Sequence, residues 1–213
     1  MNFGRARERM IEDQLVNRGI TDLRVLAAIA RVERHRFVAE ALQVRAYEDK
    51  PLPIGERQTI SQPYMVGLMT QALELKGHER VLEVGTGCGY QTAVLAEIAE
   101  TVYTIERLAV LATAARATLD ALGYANVVAR VGDGSLGWSE ESPFDAILVT
   151  AGTPQVPRPL LAQLGVDGRL VFPVGEEELQ TLVRIRKKEE GLHEEYLGDC
   201  RFVKLVGRYG WRQ

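Results

Sequence analysis

Val81-Leu-Glu-Val-Gly-Thr-Gly-Cys-Gly-Tyr90 is the stretch that decides the fold. Its first four residues have the apolar, β-branched character of a buried strand, and the residues after the glycines have the character of a helix. A strand that runs into a glycine-rich loop and then into a helix is the context of nucleotide-binding loops. We therefore expect a Rossmann-like unit centred on this loop.

The segments that follow the loop alternate between short strands and longer helices. Arg80 to Val84 precedes the glycines as a strand, and further strands are predicted at 101–105, 127–131 and 144–149, with helices at 91–99, 107–122 and 156–164. Strands separated by helices indicate a parallel sheet with right-handed crossovers. The predicted fold class is α/β, a doubly wound, Rossmann-like and mostly parallel sheet.

The two ends of the chain have different patterns. The first sixty residues predict a helix over 5–18 that stops at Gly19, a second helix capped by Thr21, and a connector over 46–61. In the second helix, the predicted apolar face consists of Leu23, Leu26, Ala27 and Ala30. Ser61 is a natural cap for the helix that begins near Pro63. At the other end, strands are predicted at 169–174, 181–186 and 202–206, paired antiparallel at one sheet edge.

These segments predict one domain over residues 1–213. Its parts are an N-terminal helical part (1–78), a cofactor-binding core (79–174) and C-terminal strands (175–213). Because Ser61 stands between the N-terminal helices and the core, we expect the helices to form part of the site.

Composition excludes several functional classes. The chain has 26 basic and 29 acidic residues, and a formal net charge of −3 argues against a general binder of nucleic-acid phosphates. Cys88 and Cys200 are the only cysteines and the three histidines are scattered, so we expect neither a disulfide framework nor a metal site. No stretch resembles an export signal or a membrane span of roughly 18 apolar residues. We expect a cytoplasmic monomer with no nucleic-acid or membrane partner.

The spacing of the glycines distinguishes between cofactors. A dinucleotide loop has the pattern G-x-G-x-x-G, but here Tyr90 stands at the position of the third glycine and the pattern is G-x-G-x-G. Glu83 precedes the first glycine by two residues. This arrangement suits a ligand without phosphate, whose cationic amino group needs an acceptor and whose body lies on exposed backbone. S-adenosylmethionine is such a ligand.

Two later acids support a cofactor that contains ribose and adenine. Glu106 directly follows the second predicted strand, 21 residues after Gly85, where a carboxylate can accept hydrogen bonds from ribose hydroxyls. Asp133, in Gly132-Asp133-Gly134 after the third strand, is a candidate acceptor for the adenine amine. Taken singly, Glu106 also fits a helix-initiating acid and Asp133-Gly134 an ordinary turn. Their order and register together predict cofactor binding.

With these residues placed, the chain resembles one family, the protein-L-isoaspartate O-methyltransferases. Many methyltransferases share the glycine loop, but few combine it with the other matching stretches. These are Thr59-Ile60-Ser61-Gln62-Pro63, 82–92, Asp145-Ala146-Ile147-Leu148-Val149-Thr150-Ala151, Val156-Pro157, 160–164, 168–171 and 202–206. The resemblance covers nearly the whole length. One departure lies at Lys204, where family members usually have proline.

The resemblance implies a role for each matching position. It makes Ser61 the catalytic residue and places Ser61 and Val206 at the substrate. It assigns the cofactor to Thr59, Ile60, Ser61, Glu83, Gly85, Thr86, Gly87, Gly89, Glu106, Arg107, Asp133 and Gly134. The implied cofactor is S-adenosyl-L-methionine, with S-adenosyl-L-homocysteine as its product.

The implied reaction is methylation of the free α-carboxylate of L-isoaspartyl residues in damaged proteins and peptides, which initiates repair through a succinimide. A carboxylate with a pKa of about 4 is already ionised at neutral pH, so the reaction needs no strong general base. Positioning, and partial removal of water from two opposite charges, are then the contributions expected of the enzyme. Isoaspartyl peptides and proteins are the expected partners.

Two other functions stay open at this point. The first is a methyltransferase of the same fold that acts on RNA or a small molecule. Val149-Thr150-Ala151-Gly152 follows the fourth strand in place of an Asn-Pro-Pro-Tyr-like loop, which disfavours amine methylation. The second is a noncatalytic module that senses an adenosine ligand. Binding alone would preserve most of the predicted residues, although the presence of Ser61 beside them is hard to reconcile with it.

Overall fold

Helical segments and one hairpin precede the main sheet. The structure is a computed structural model that describes residues 2–212. In chain order the first elements are α1 (Phe3–Arg9), a π-helical segment (Met10–Leu15), a 3-10 turn (Val16–Arg18), α2 (Leu23–Arg31), 3-10 segments (Arg34–Phe37 and Glu40–Arg45), β1 (Leu52–Gly55), β2 (Gln58–Ile60) and α3 (Pro63–Ala72). Gly19 ends the first helical run with a left-handed φ of 88°, as its position predicts.

A seven-stranded sheet and its connecting helices form most of the rest of the chain. Its elements are β3 (Arg80–Val84), α4 (Tyr90–Ala96), β4 (Thr101–Glu106), α5 (Ala109–Ala121), β5 (Val127–Val131), β6 (Phe144–Val149), α6 (Arg158–Gln163), β7 (Leu164–Gly175), β8 (Gln180–Lys188) and β9 (Gly191–Cys200). The strand order is β5-β4-β3-β6-β7-β8-β9. Pairing is parallel from β5 to β7 and antiparallel from β7 to β9. This confirms the predicted α/β class with antiparallel strands at one edge.

Alternate residues of each central strand enter two separate cores. On one face, Val81 and Val102 pack with the N-terminal helices and α4. On the other face, Leu82 and Tyr103 pack with α6 and the C-terminal segment. Because the side-chain period of a strand is two, every residue of β3 and β4 is committed to one of these two layers.

The N-terminal helices depart from the prediction in their cap and their buried face. The spacing predicts Thr21 as the cap of α2, but Asp22 performs this role and accepts hydrogen bonds from the N–H groups of Arg24 and Val25. The buried face is Val25, Ala28 and Ile29, whereas Leu23 is 79% exposed. Arg24 and Arg31 lie seven residues apart on the side of the helix away from Val25 and Ile29, so a face counted from Leu23 is rotated away from the buried one.

The connector predicted over 46–61 contains the β1–β2 hairpin. Leu52 lies opposite Ile60 in the pair, and both side chains are buried. Glu56 and Arg57 turn the chain, with φ values of 50° and 57°. Left-handed residues suit a tight hairpin, but this pair lacks the Asn-Gly or Asp-Gly signal that would have predicted it.

At the C-terminal end, the predicted strand 202–206 is wrong and a strand before it was missed. The segment has only isolated bridges, including one between Gly152 and Lys204. The missed strand, β9, pairs with β8 at the sheet edge. Its residues are mostly exposed, and an edge strand of this kind lacks the apolar alternation that identifies the central strands.

Leu119 provides a test of the packing of α5. Its side chain is fully buried, and a β-carbon added at Gly89 would lie 3.4 Å from it. Leu119→Ala should lower the free energy of unfolding by about 2–5 kcal/mol, through lost burial and a residual cavity. Val110→Ala, on the exposed side of the same helix, should change it by about 0.5 kcal/mol or less. Urea unfolding followed by circular dichroism measures both, and equal losses would contradict the assigned face.

Candidate active site

A cleft of about 930 Å³ opens at the carboxyl ends of the central strands. β3 has β4 on one side and β6 on the other, so the chain crosses from one half of the sheet to the other at this point. Ligands of open α/β sheets bind in the crevice at such a switch point. The glycine loop, the start of α3, the β1–β2 hairpin and the segment 201–206 all contribute to its walls.

The glycine loop presents bare backbone to the cleft. Gly85 and Gly87 have left-handed φ values of 99° and 56°. A β-carbon at Gly85 would lie 2.4 Å from the Thr150 hydroxyl, which donates to the carbonyls of Val84 and Gly85. Only glycine satisfies both requirements at residue 85. Thr150 is a site residue to which sequence reasoning gave no role, because its partner is a turn 65 residues away.

Glu106 lies in the cleft at the end of β4. Its carboxylate accepts a hydrogen bond from the N–H of Gly87 at 2.9 Å and one from the N–H of Leu108 at 3.0 Å. A carboxylate that accepts from backbone N–H groups makes strong, charge-assisted hydrogen bonds. Glu106 therefore joins the glycine loop to the turn after the neighbouring strand, while facing the cleft where a ribose acid is predicted.

Glu83 does not line the cleft. In the parallel register it stands opposite Thr104, and one of its oxygens accepts hydrogen bonds from the hydroxyls of Thr104 and Thr92. The second oxygen is buried and has no partner among the described residues. Burial raises the pKa of Glu83 to about 8; the charge of Glu106 also raises it, whereas the threonine hydrogen bonds lower it. The alternation of β3 thus places this acid beneath α4.

Gly89 and Asp133 also lie outside the cleft lining. Gly89 is buried at the start of α4 and packs near Ala115 and Leu119. The carboxylate of Asp133 accepts from the N–H and hydroxyl of Ser135 through one oxygen and from the N–H of Arg208 through the other. In this structure Asp133 therefore holds the C-terminal segment against the turn after β5.

The remaining predicted site residues are brought together around one space. Ten of them line the cleft: Thr59, Ile60, Ser61, Gly85, Thr86, Gly87, Glu106, Arg107, Gly134 and Val206. They come from five separate parts of the chain, so their convergence is a property of the fold.

Ser61 occupies the cleft without capping a helix. The cap position of α3 belongs to Gln62, and across the described chain no side chain caps its first turn. The carbonyl of Ser61 instead accepts a hydrogen bond from Arg34 at 2.7 Å. The prediction that Ser61 caps the helix is therefore wrong. Ser61 precedes the cap position by one residue, and its side chain makes no hydrogen bond to the first N–H groups of α3.

The segment 201–206 forms the wall that carries Val206. Gly152 donates its N–H to Val203 and accepts from the N–H of Leu205. Buried Gln180 accepts from the N–H of Phe202 and donates to two carbonyls of the turn at 176–177. At the rim, Lys204 pairs with Glu177 at 2.7 Å. The contact between Gln180 and Phe202 spans 22 residues, which is why local sequence patterns did not identify Gln180.

Two further residues of the lining are uncharged at neutral pH. Burial raises the pKa of the Cys88 thiol to about 11 and the pKa of the Tyr90 phenol to about 12. Cys88 is therefore held as a thiol.

These features fit a nucleoside-containing cofactor without phosphate. The bare loop at Gly85 and Gly87 allows a ligand to approach the backbone closely, and Glu106 supplies a carboxylate at the end of the second strand. Over residues 2–212 the structure contains no group of three or more His, Cys, Asp or Glu side chains able to hold a metal ion. In the same range, no helix is long and apolar enough to cross a bilayer.

Comparison with known protein sequences identifies one family. The family described as Protein-L-isoaspartate(D-aspartate) O-methyltransferase (PCMT) matches residues 5–210. Protein-L-isoaspartate O-methyltransferase 1 of Syntrophobacter fumaroxidans is 60% identical over 211 residues, which cover 99% of each chain. The protein-L-isoaspartate O-methyltransferase of Geobacter metallireducens is 59% identical over 212 residues, covering 99% of this chain and 98% of the relative.

Solved structures of similar proteins have the same fold. A protein-L-isoaspartate O-methyltransferase that is 30% identical superposes with a TM-score of 0.86, over 96% of this chain and 67% of that one. A Plasmodium falciparum protein described by the same activity is 25% identical, with a TM-score of 0.80 over 97% of this chain and 99% of that one. That structure is a complex with S-adenosyl-L-homocysteine.

The raised pKa of Glu83 predicts a pH dependence of stability. Between about pH 4.5 and 8 the folded chain keeps the Glu83 proton that the unfolded chain has released, so stability falls as the pH rises through this window. Glu83→Gln removes this titration. The free energy of unfolding of the wild type, relative to the variant, should therefore fall by about 2–5 kcal/mol between pH 5 and pH 8.

Urea unfolding of the cofactor-free protein at several pH values measures this difference. Glu100→Gln changes an exposed acid next to β4 and should follow the wild-type curve. Parallel curves for the wild type and Glu83→Gln would show that Glu83 is ionised in the folded chain.

Proposed function

The chain belongs to the protein-L-isoaspartate O-methyltransferase family, and we propose that its cleft performs the reaction of that family. It transfers a methyl group from S-adenosyl-L-methionine to the free α-carboxylate of an L-isoaspartyl residue. The backbone nitrogen next to the methyl ester then attacks the ester carbonyl carbon, and methanol leaves. The resulting succinimide hydrolyses, which returns some chains to the normal linkage. The observation that carries this proposal is the convergence of Ser61, the glycine loop and Glu106 on one cleft.

The substrate carboxylate is held by hydrogen-bond donors beside α3. The hydroxyl of Ser61 is the proposed donor, and the uncapped first turn of α3 adds the positive end of the helix dipole. Val206 forms the facing part of the peptide site. A carboxylate is ionised at neutral pH, so these donors need only orient it. The neutral side chains of Cys88 and Tyr90 agree with a reaction that uses no general base.

The cofactor site is proposed on the other part of the cleft. Gly85, Thr86 and Gly87 offer backbone to the methionine part of the cofactor, and Glu106 accepts from the ribose hydroxyls. Thr59, Ile60, Arg107 and Gly134 complete the proposed contacts. S-adenosylmethionine, when bound, supplies the methyl group as part of a sulfonium cation. Glu83, Gly89 and Asp133, which lie outside the lining, are proposed to support the loops around the cofactor.

The chain is further proposed to act as one domain and as a monomer. One core cluster joins Met10 of the N-terminal part, Val102 of the central part and Leu182 of the C-terminal part. Cys88 and Cys200 are free thiols, in keeping with the reducing cytoplasm. Its partners are proteins and peptides that carry isoaspartyl residues, with no nucleic acid or membrane among them.

A matched pair of peptides tests the reaction. The protein is incubated with S-adenosylmethionine labelled in the methyl group and with one peptide in isoaspartyl and aspartyl forms. Label should enter the isoaspartyl peptide as a base-labile methyl ester and enter the aspartyl peptide at least a hundredfold more slowly. Equal labelling of both forms, or of neither, would refute the proposed substrate.

Substitutions at Glu106 and Ser61 should separate cofactor binding from turnover. Glu106→Ala removes a charge-assisted acceptor. The affinity of the variant protein for S-adenosyl-L-homocysteine should therefore fall at least tenfold, which is a loss of about 1.4 kcal/mol in binding free energy. Ser61→Ala should lower kcat at least tenfold and leave this affinity within threefold. Isothermal titration calorimetry and initial rates measure the two quantities.

Glu100→Ala is the matched control for Glu106→Ala, since it removes the same charge just before β4 starts. Its affinity for S-adenosyl-L-homocysteine should stay within twofold of the wild type. If Glu106→Ala also binds as tightly as the wild type, the ribose assignment is wrong.

A further inference from the structure

Arg34 is a buried cation to which the proposed reaction assigns no role. It begins the 3-10 segment between α2 and the hairpin, and its side chain is 0% exposed. Its Nε donates to the carbonyl of Ala46 at 2.7 Å, and one Nη donates to the carbonyl of Ser61 at 2.7 Å. The guanidinium carbon lies 4.7 Å from the centre of the Tyr90 ring. The other Nη has no partner within the described chain.

This burial is energetically unusual. Moving a guanidinium out of water costs several kcal/mol, which proteins normally offset with a carboxylate partner. Arg34 forms no ion pair with any residue between 2 and 212, and burial accordingly lowers its pKa. An arginine nevertheless stays charged in proteins. Local exceptions to the pairing rule are expected where a residue serves a site.

The contacts of Arg34 join two segments that line the cleft to a third segment behind it. Ser61 and Tyr90 both line the cleft, whereas Ala46 belongs to the buried core behind it. The guanidinium is a rigid planar fork, so two of its N–H groups reach carbonyls of separate segments in fixed directions. A lysine has the charge but no such fork. The hydrogen bond to the Ser61 carbonyl restrains the peptide plane after residue 61, and so the backbone from which the Ser61 side chain projects.

We propose that Arg34 is a positioning residue for the methyl-accepting carboxylate, because it holds Ser61 in the orientation that its hydroxyl needs. The inference rests on the proposed function, in which Ser61 contacts that carboxylate. Arg34 itself touches neither the substrate nor the reacting atoms. Its effect therefore passes through Ser61, and this route distinguishes it from a residue that only stabilises the fold.

A double-mutant cycle between Arg34 and Ser61 tests this route. Arg34→Lys keeps the charge and loses the fork. It should lower kcat/KM for an isoaspartyl peptide at least tenfold, and lower the affinity of the same peptide for the protein saturated with S-adenosyl-L-homocysteine at least fivefold. In a Ser61→Ala background, the same substitution should change both quantities less than threefold. The affinity of the Arg34→Lys protein for S-adenosyl-L-homocysteine alone should stay within threefold of the wild type.

Equal fold-losses in the two backgrounds, or a parallel loss of affinity for S-adenosyl-L-homocysteine, would overturn the proposal and leave Arg34 with a structural role. Arg184→Met is the control for removal of a mostly buried arginine away from the cleft, and it should leave peptide affinity unchanged. If Arg34→Lys fails to fold, Arg34→Gln, which keeps one N–H donor group and loses the charge and the fork, is taken through the same cycle with Ser61→Ala. Its losses in kcat/KM and peptide affinity should likewise disappear in the Ser61→Ala background, and losses of equal size in both backgrounds would overturn the proposal.

The failure of this inference is separable from the failure of the proposed function. A wild-type protein that does not methylate the isoaspartyl peptide would refute the function. A wild-type protein that methylates it, while the cycle shows independent effects, would refute only the role of Arg34.

Discussion

One hydrogen bond, from the N–H of Gly87 to the carboxylate of Glu106, holds the site together. It connects the loop after β3 to the end of β4, where two parallel strands finish side by side. The other carboxylate oxygen accepts from Leu108 and so fixes the turn that leads into α5. Left-handed glycine backbone has few local restraints, so a charged acceptor at this point determines where the loop lies. The cleft takes its shape from that position.

The alternation of the strands explains why two neighbouring acids differ in character. Glu83 and Glu106 belong to adjacent strands, but Glu83 points into the layer under α4 and Glu106 lies at the strand end. Burial favours the protonated form of Glu83, which relieves repulsion between the two carboxylates. The protonated form of Glu83 has no charge, so an acid behind the loop is compatible with an acid in front of it.

Sequence reasoning located the elements that carry strong local signals. The bounds predicted for 80–84, 127–131 and 144–149 match β3, β5 and β6, since each is an apolar run ended by turn residues. The hairpin and β9 were not predicted, because the hairpin turn lacks the usual turn residues and β9 is mostly exposed. The buried face of α2 was missed because the spacing was counted from Leu23 instead of from the side opposite Arg24 and Arg31. Arg34 gave no local signal at all. Its acceptors are main-chain carbonyls 12 and 27 residues away, and any residue type supplies a carbonyl.

The two halves of the cleft are coupled through the turn after β5. Gly134 of that turn lines the cleft, while Asp133 and Ser135 bind the N–H groups of Arg208 and Tyr209. A β-carbon at Gly207 would lie 2.1 Å from the Asp133 carboxylate, so the C-terminal segment approaches this turn as closely as a backbone can. Val206 is the residue immediately before Gly207. We therefore expect a shift of this turn, on the proposed cofactor side, to move the wall on the proposed peptide side, so that one set of contacts positions both proposed reactants.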